Sequence, residues 1–402
     1  MKIMTPMYTL RRGGAYDRFI MMLEAFLERR YEVHCLSLTP IQIKNPFYHN
    51  EVADFPFKLG NGWVAKLIVL FLFPLYSLWI GRREKIDLFI AFGSLYAFIL
   101  AIPKLVLKKP MVTLIRGNST LSLKMHDSNK YLLYLNMIIE YLGLVSSDRI
   151  VTVNTALRED IVRVIGRKKN NTEVKVLFNN VPQIPTPVQE DILHVRGQLA
   201  IPEGAKLLVT AGVINRGKNI EILIKCLPKI GIDNLFLLIV GDGFAKADLD
   251  YRNHLRKLTE KFGVDRRVIF TGWLEKDELW KIFHAADLFV LPSKSEGMPN
   301  SMLEALGSDL PCFGSRVPGI MDILHDEELM FDPMDEQAII DKVWRFFSDV
   351  QYFHEIKELC QKRKKDFIFD WKEKVFQVLT GGSYDKNRYG TFKGSRLEEV
   401  LK

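Results

Sequence analysis

Short apolar runs alternate with amphipathic helical stretches, twice over, along the 402 residues of this chain. In the first half the apolar runs are KIMT (2–5), YEVHCLSL (31–38), DLFIAF (87–92), MVTLI (111–115), RIVTVN (149–154) and VKVLF (174–178). Helical patterns such as 17–30 and 155–165 separate them. Strands that alternate with helices in this way predict a parallel sheet covered on both faces. The segment VPQIPTPVQED (181–191) then places three prolines in six positions, which neither a helix nor a central strand tolerates, and marks a linker.

Beyond the linker the pattern restarts more clearly. KLLVTAG (206–212), LFLLIVG (235–241), RVIFTG (267–272), DLFVLP (287–292) and LPCFGS (310–315) read as strands. Their near-continuous apolar character suits burial on both faces. Helices are expected over 218–230, 246–263, 275–285 and 300–307, and a charged helical region over 335–376. The fold class is therefore α/β, two tandem Rossmann-like, doubly wound domains facing across a cleft. Ligands in such sheets bind where strand ends lead into helices.

The chain has a formal net charge of +8. A basic balance favours phosphate-bearing ligands, nucleic acid or anionic membrane. The cations are dispersed and no recognition motif for nucleic acid is evident, which disfavours that class. Cys35, Cys226, Cys312 and Cys360 are scattered, with no metal-ligand spacing, and read as buried thiols of a reducing compartment. The start, MKIMTPMYTL, has no signal-peptide pattern, so a cytoplasmic location is expected.

The run LIVLFLFPLYSLWI (67–80) has fourteen residues and contains Pro74. A membrane-spanning helix needs about 20 apolar residues, so a core helix is favoured over an interfacial one, and a spanning helix comes last. Lys85, Lys104, Lys108 and Lys109 nearby keep the interfacial reading open and would put the protein at the inner face of the membrane.

Chemistry is sought at the strand ends of the second half. In AGVINRGKN (211–219), Gly212 permits a tight turn, and Arg216 and Lys218 set two cations beside a helix start. That combination suits a diphosphate, and equally a solvated turn. VGDG (240–243) and FTGW (270–273, with Gly272) are further strand-end glycine turns, weak signals taken singly. SEGMPNSMLEAL (295–306) carries Glu296 and Glu304 with seven residues between them. Pro299 reads as the first helical residue, and the amides of Asn300, Ser301 and Met302 would then face an anion. Ser301-x-x-Glu304 also matches a capping box, in which case Glu304 needs no ligand. Local pattern leaves cap and ligand site open.

Taken in order, the glycine turn, the Arg/Lys loop, GDG, FTGW and the paired glutamates resemble the retaining nucleotide-sugar glycosyltransferases of family 4 (group 1), whose fold is GT-B. The likeness is strongest over 205–325, and SKSEGMPNSMLEALGSDLPCFGSRVPGI resembles that family's signature in full. It implies a first domain over 1–182 on the acceptor side, a nucleotide-sugar-binding domain over 183–369, and a helix and tail over 370–402 packing back on the first. It further implies that Glu296, with Gly297, meets the donor sugar near the reacting carbon and that Glu304 holds the ribose hydroxyls. Lys218, with Gly212 and Arg216, would meet the diphosphate, and Asn300, Ser301 and Met302 would bind sugar or phosphate. RRGGAYDR (11–18) resembles the family's first glycine loop, where Gly13 and Gly14 let backbone approach phosphate and acceptor.

The resemblance implies a UDP- or GDP-linked sugar as co-substrate, a glycan or lipid-linked acceptor, and neither metal nor other cofactor. Two positions depart from it. Val213 stands where members usually carry Arg, and Arg116, ending MVTLI, stands where they often carry His; His126 lies ten residues on. A guanidinium stays charged and cannot serve as a general base, so Arg116 is expected to meet substrate as a cation. These departures keep a second class in view, a nucleotide-sugar-binding protein without catalysis. A sugar epimerase or phosphorylase on the same architecture is a third.

Overall fold

A computed structural model of the chain describes residues 1–8, 13–53, 63–117, 130–166 and 172–381; the side chains of 63–68 are outside that description. Arg11, Arg12, His126 and the tail from 382 onward lie outside the described residues.

The chain divides into two units, one of residues 1–178 together with 370 onward, the other Asn179–Phe369. The N-terminal unit holds a seven-stranded sheet in the order β3-β2-β1-β4-β5-β6-β7. The strands are β1 (Lys2–Pro6), β2 (Glu32–Ser37), β3 (Tyr48–Val52), β4 (Leu88–Phe92), β5 (Met111–Ile115), β6 (Arg149–Thr152) and β7 (Glu173–Val176). All pairings are parallel. The central strands β4 and β5 are buried at every position, as their unbroken apolar runs require. β3 is an edge strand of partly exposed YHNEV, polar enough that no apolar run announces it.

Helices α1 (Gly14–Leu27), α2 (Trp63–Arg83), α3 (Ser94–Leu107), α4 (Lys130–Ser146) and α5 (Thr155–Ile165) connect these strands. The run around 67–80 is thus part of a 21-residue helix that includes Pro74. Val69, Phe73, Ser77 and Ile80 face the core, at the three- and four-residue spacing of one helical face. Among the described residues no helix is long and apolar enough to cross a membrane, which removes the spanning reading.

In the C-terminal unit six strands pair in the order β10-β9-β8-β11-β12-β13. They are β8 (Lys206–Ala211), β9 (Leu235–Val240), β10 (Val268–Gly272), β11 (Leu288–Leu291), β12 (Cys312–Ser315) and β13 (Met330–Phe331). The helices are α6 (Gln189–Gln198), α7 (Ile220–Cys226), α8 (Lys246–Lys261), α9 (Lys276–Ala285), α10 (Asn300–Gly307), α11 (Pro318–Leu324), α12 (Glu336–Ser348) and α13 (Val350–Asp366). The proline-rich segment is irregular as expected, but α6 already begins at Gln189, two residues past its last proline. The helix expected over 218–230 divides into a 3-10 turn (Arg216–Lys218), α7, and a second 3-10 turn at Leu227–Lys229 containing Pro228.

The last helix, α14 (Trp371–Thr380), belongs to the N-terminal unit. Trp371, Val375 and Leu379 are buried there, and Phe376 meets Phe26 edge-on at 5.3 Å. All four cysteines are buried thiols.

Candidate active site

Each sheet has one point where the winding direction reverses. In the C-terminal unit it falls between β8 and β11, and the loops leaving those two strands must part there, leaving a crevice at the carboxyl edge. The loop after β8 carries Gly212, Arg216 and Lys218; the loop after β11 carries Ser293, Glu296 and Gly297.

Three glycines bring the strand ends together. Gly212 has φ 147° and Gly241 φ 121°, values that L side chains rarely adopt. A Cβ on Gly241 would lie 2.0 Å from the Gly212 carbonyl oxygen, so the ends of β8 and β9 approach as only glycine allows. The Gly241 N–H donates to the Gly272 carbonyl at 2.8 Å, which ties in the end of β10. The weak turn signals of AGV, GDG and FTG are thus one continuous backbone floor. Asp242 of GDG is occupied structurally, since Arg252 Nη1 donates to both its oxygens at 2.7 Å. Trp273 and Phe244 stand beside this floor with ring centres 5.3 Å apart.

Across the crevice, Lys218 Nζ donates to Glu296 Oε1 at 2.6 Å. The buried Ser293 hydroxyl donates to the same oxygen at 2.6 Å. The backbone joins the two loops as well, through the Lys294 N–H and the Gly217 carbonyl at 2.8 Å. Both charged side chains are mostly shielded, 18% exposed for Lys218 and 12% for Glu296, so the pair has few competing waters. The Lys218 stem passes over Gly212, where a Cβ would meet its Nζ at 3.3 Å. Arg216, on the same turn, points elsewhere: its guanidinium lies over Tyr251 of α8, 5.6 Å from the ring centre.

The loop after β11 is held from two more sides. A Cβ on Gly319, in the first turn of α11, would lie 2.0 Å from the Gly297 carbonyl and 2.8 Å from that of Glu296. Asn179, fully buried at the start of this unit, donates through Nδ2 to the Met298 carbonyl at 3.1 Å and to Asn300 Oδ1 at 2.8 Å. Sequence reading missed Ser293, Gly319 and Asn179. Ser293 opens the recognised signature and Gly319 is its second-to-last residue, but Asn179 is 119 residues from its partner Met298 and has no local signal.

The helix start differs from expectation. Pro299 is the N-cap (φ −70°, ψ 117°), not the first helical residue, and makes no side-chain cap bond to α10. Ser301 therefore falls at the second helical position, out of range of the capping box with Glu304. Glu304 is 9% exposed in the second turn, and its carbonyl accepts from Ser308. Asn300, Ser301 and Met302 form the first turn, with Met302 buried.

Gly13, Gly14 and Arg116 lie in the N-terminal unit. Gly13 (φ 139°) is the N-cap of α1 and Gly14 its first residue, at that sheet's reversal point between β1 and β4. Arg116 follows β5, with its guanidinium 6.0 Å from the Phe92 ring centre. Burial, and secondarily the charge of Arg18, pulls the Arg116 guanidinium below the ordinary arginine range. Arg18 itself is buried on α1 over Trp371.

Among the described residues, Glu32, His34 and His49 form a group of metal-ligand type. They sit on β2 and β3, away from either strand-end edge. The imidazoles stack at 4.5 Å with planes 21° apart, so their lone pairs run side by side and do not converge. Glu32 is already paired with Lys2 at 2.7 Å.

Residues 191–365 match the family described as Glycosyl transferases group 1. The uncharacterized glycosyltransferase MJ1607 of Methanocaldococcus jannaschii is 30% identical over 193 residues, 47% of this chain and 47% of the relative. The chain thus aligns with about half the length of that curated relative. Among solved structures, a sucrose-phosphate synthase from Thermosynechococcus elongatus superposes with TM-score 0.76 at 17% identity, covering 94% of this chain and 97% of that one. Anabaena HepE, solved in complex with UDP-glucose, superposes with TM-score 0.74 at 18% identity, covering 95% of this chain and all of the other. The fold is that of the GT-B glycosyltransferases, and the sequence match supports the group 1 superfamily over the C-terminal unit.

Proposed function

We propose that this protein transfers a sugar from a UDP- or GDP-linked donor to a hydroxyl of a glycan or lipid-linked acceptor, with retention at the anomeric carbon and without a metal. The observation that carries the reading is the Lys218–Glu296 contact across the reversal point, fixed by Ser293 at one end and the glycine floor at the other.

The difficult event is departure of a nucleotide diphosphate, on which negative charge grows as the C1–oxygen bond breaks. Lys218 and the N-terminus of α10 supply positive potential for that charge in a shielded crevice. Glu296 orients Lys218 in the resting state and meets the donor sugar beside the reacting carbon. The acceptor oxygen bonds to C1 on the face the phosphate leaves, and its proton passes to the departing phosphate oxygen, so no protein base is required. Glu304, in the second turn of α10, takes the ribose hydroxyls. The backbone floor at Gly212, Gly241 and Gly272 brings main chain close to the nucleotide, with Trp273 and Phe244 beside the base. Gly13, Gly14 and Arg116 serve phosphate and acceptor from the N-terminal unit. HepE, which binds UDP-glucose on the same fold, lends weight to a uridine donor.

A second reading is donor binding without turnover. It is favoured by Val213, where the family usually carries Arg, and by Arg216 lying over the Tyr251 ring. Incubation with a panel of UDP-, GDP- and ADP-sugars and a lipid or glycan extract separates the two. Acceptor-dependent release of nucleotide is expected with one donor. Tight donor binding with no release from any would replace transfer with the second reading.

A further inference from the structure

Helices α2, α3 and α4 pack side by side along one face of the N-terminal sheet. Two glycines make the contacts close. A Cβ on Gly143 of α4 would lie 2.4 Å from the Ser94 carbonyl of α3, and one on Gly81 of α2 would lie 2.6 Å from Leu107 Cδ1. The outer faces of the three helices therefore merge. They are apolar where a water-facing surface would be polar. Phe71, Leu75 and Trp79 project from α2 at fourfold spacing, and Ile102 and Leu105 from α3. α4 goes further: Tyr131, Tyr134, Leu135 and Ile138 all face solvent, Tyr131 at 86% exposure. Patches of this extent mark an interaction surface.

Charge identifies the occupant. Segments 63–85, 94–109 and 130–146 contain eight basic residues and two acidic ones, a net +6 against +8 for the whole chain. Among the described residues, Arg82, Lys85, Lys108 and Lys130 make no ion pair and stand at the helix ends. Arg83 lies over the Trp79 ring, 4.2 Å from its centre. Apolar residues on the outer face, tyrosine and tryptophan among them and lysine and arginine at the margin, match the layers of a lipid interface. A second copy of the chain is a poor occupant, because self-pairing would set these like charges against one another. No described helix is fit to cross the bilayer, so contact is along the surface.

We propose that the α2–α3–α4 face docks the N-terminal unit on an anionic lipid bilayer. This goes beyond the sugar-transfer reading and needs no donor to test. The full chain is floated with vesicles of equal parts phosphatidylglycerol and phosphatidylcholine, and with phosphatidylcholine alone. Co-flotation with the anionic vesicles only, weakened by salt, is expected. The triple variant Phe71→Ser/Leu105→Ser/Tyr131→Ser changes exposed positions and should keep its circular dichroism while binding falls by about tenfold or more. Lys108→Gln/Lys130→Gln should lose about fivefold for each charge removed. Absence of flotation overturns the proposal, as does equal binding to neutral vesicles. A dimer in light scattering that the triple variant dissolves would assign the face to a second copy instead. Acceptor-independent donor hydrolysis, measured without vesicles, reports separately on the sugar-transfer reading.

Discussion

The two units are built to one plan and finished differently. In each, the first strand lies central, the fourth lies beside it, and the winding reverses between them, β1 with β4 and β8 with β11. In the C-terminal unit that reversal point is flanked by the glycine backbone at the ends of β8, β9 and β10 and bridged by Lys218 and Glu296. Its exposed large apolar side chains are scattered singly, Leu193 on α6, Trp344 on α12, Val350 on α13. In the N-terminal unit the edge holds the buried Arg18 and the partly buried Arg116, and exposed apolar side chains gather on three neighbouring helices. The sheet decides where an edge falls; the loops and outer helix faces decide what each edge and face does.

The sharpest way to break this contrast is to remove the pair found in only one unit. Lys218→Met takes away the cation facing the departing diphosphate, and transfer should drop about 10²- to 10³-fold, the range for loss of one preorganised electrostatic group. Glu296→Gln should also reduce transfer strongly while nucleotide still binds in a calorimetric titration. Transfer at the unaltered rate by Glu296→Gln would sink its role at the sugar.

Gly241→Ala comes next. Its Cβ would stand 2.0 Å from the Gly212 carbonyl, and neither atom belongs to a flexible side chain. With φ at 121° as well, the strain should cost about 1–3 kcal/mol. Thermal unfolding should show a lowered transition for the C-terminal unit, with weaker donor binding. An unchanged melting curve would mean that the floor yields without resistance.

Glu304→Ala should have a smaller effect on stability than on donor affinity. The paired measurement bears on what could be read from sequence. Strand ends and their glycines were legible, because parallel strands are continuous apolar runs that stop at turn residues. The Glu296 and Lys218 identities were legible too, but not their contact, which spans 78 residues. The Ser301–Glu304 box, open in the sequence, does not form because Pro299 takes the cap position and puts Ser301 second in the helix. The three-helix face was only partly legible. Residues 67–80 read as apolar on every side, and periodicity cannot say which sides the fold leaves uncovered. Edge strand β3 escaped notice because an edge need not be apolar.

The smallest effect expected is a pH dependence that tells the units apart. His34 is 2% exposed in the N-terminal unit; burial lowers its pKa, aided by the stacked His49, while Glu51 at 3.1 Å from Nδ1 and the more distant Glu84 oppose the shift. His284 in the C-terminal unit is lowered chiefly by burial, against the Pro185 carbonyl. In the unfolded chain both imidazoles take up a proton near pH 6.5. Below that pH the unfolded state binds more protons than the folded one, so stability falls as pH drops. Glu32, Glu84, Glu173 and Asp349 have lowered values, so their contributions fade only at still lower pH. Scans at pH 7 and pH 5.5 should therefore isolate the imidazoles, with a modest drop in each unit's melting transition. His34→Gln should flatten the drop in the N-terminal transition and His284→Gln that in the C-terminal one. If either substitution flattens both, the units melt as one, and their separate finishing is not matched by separate stability.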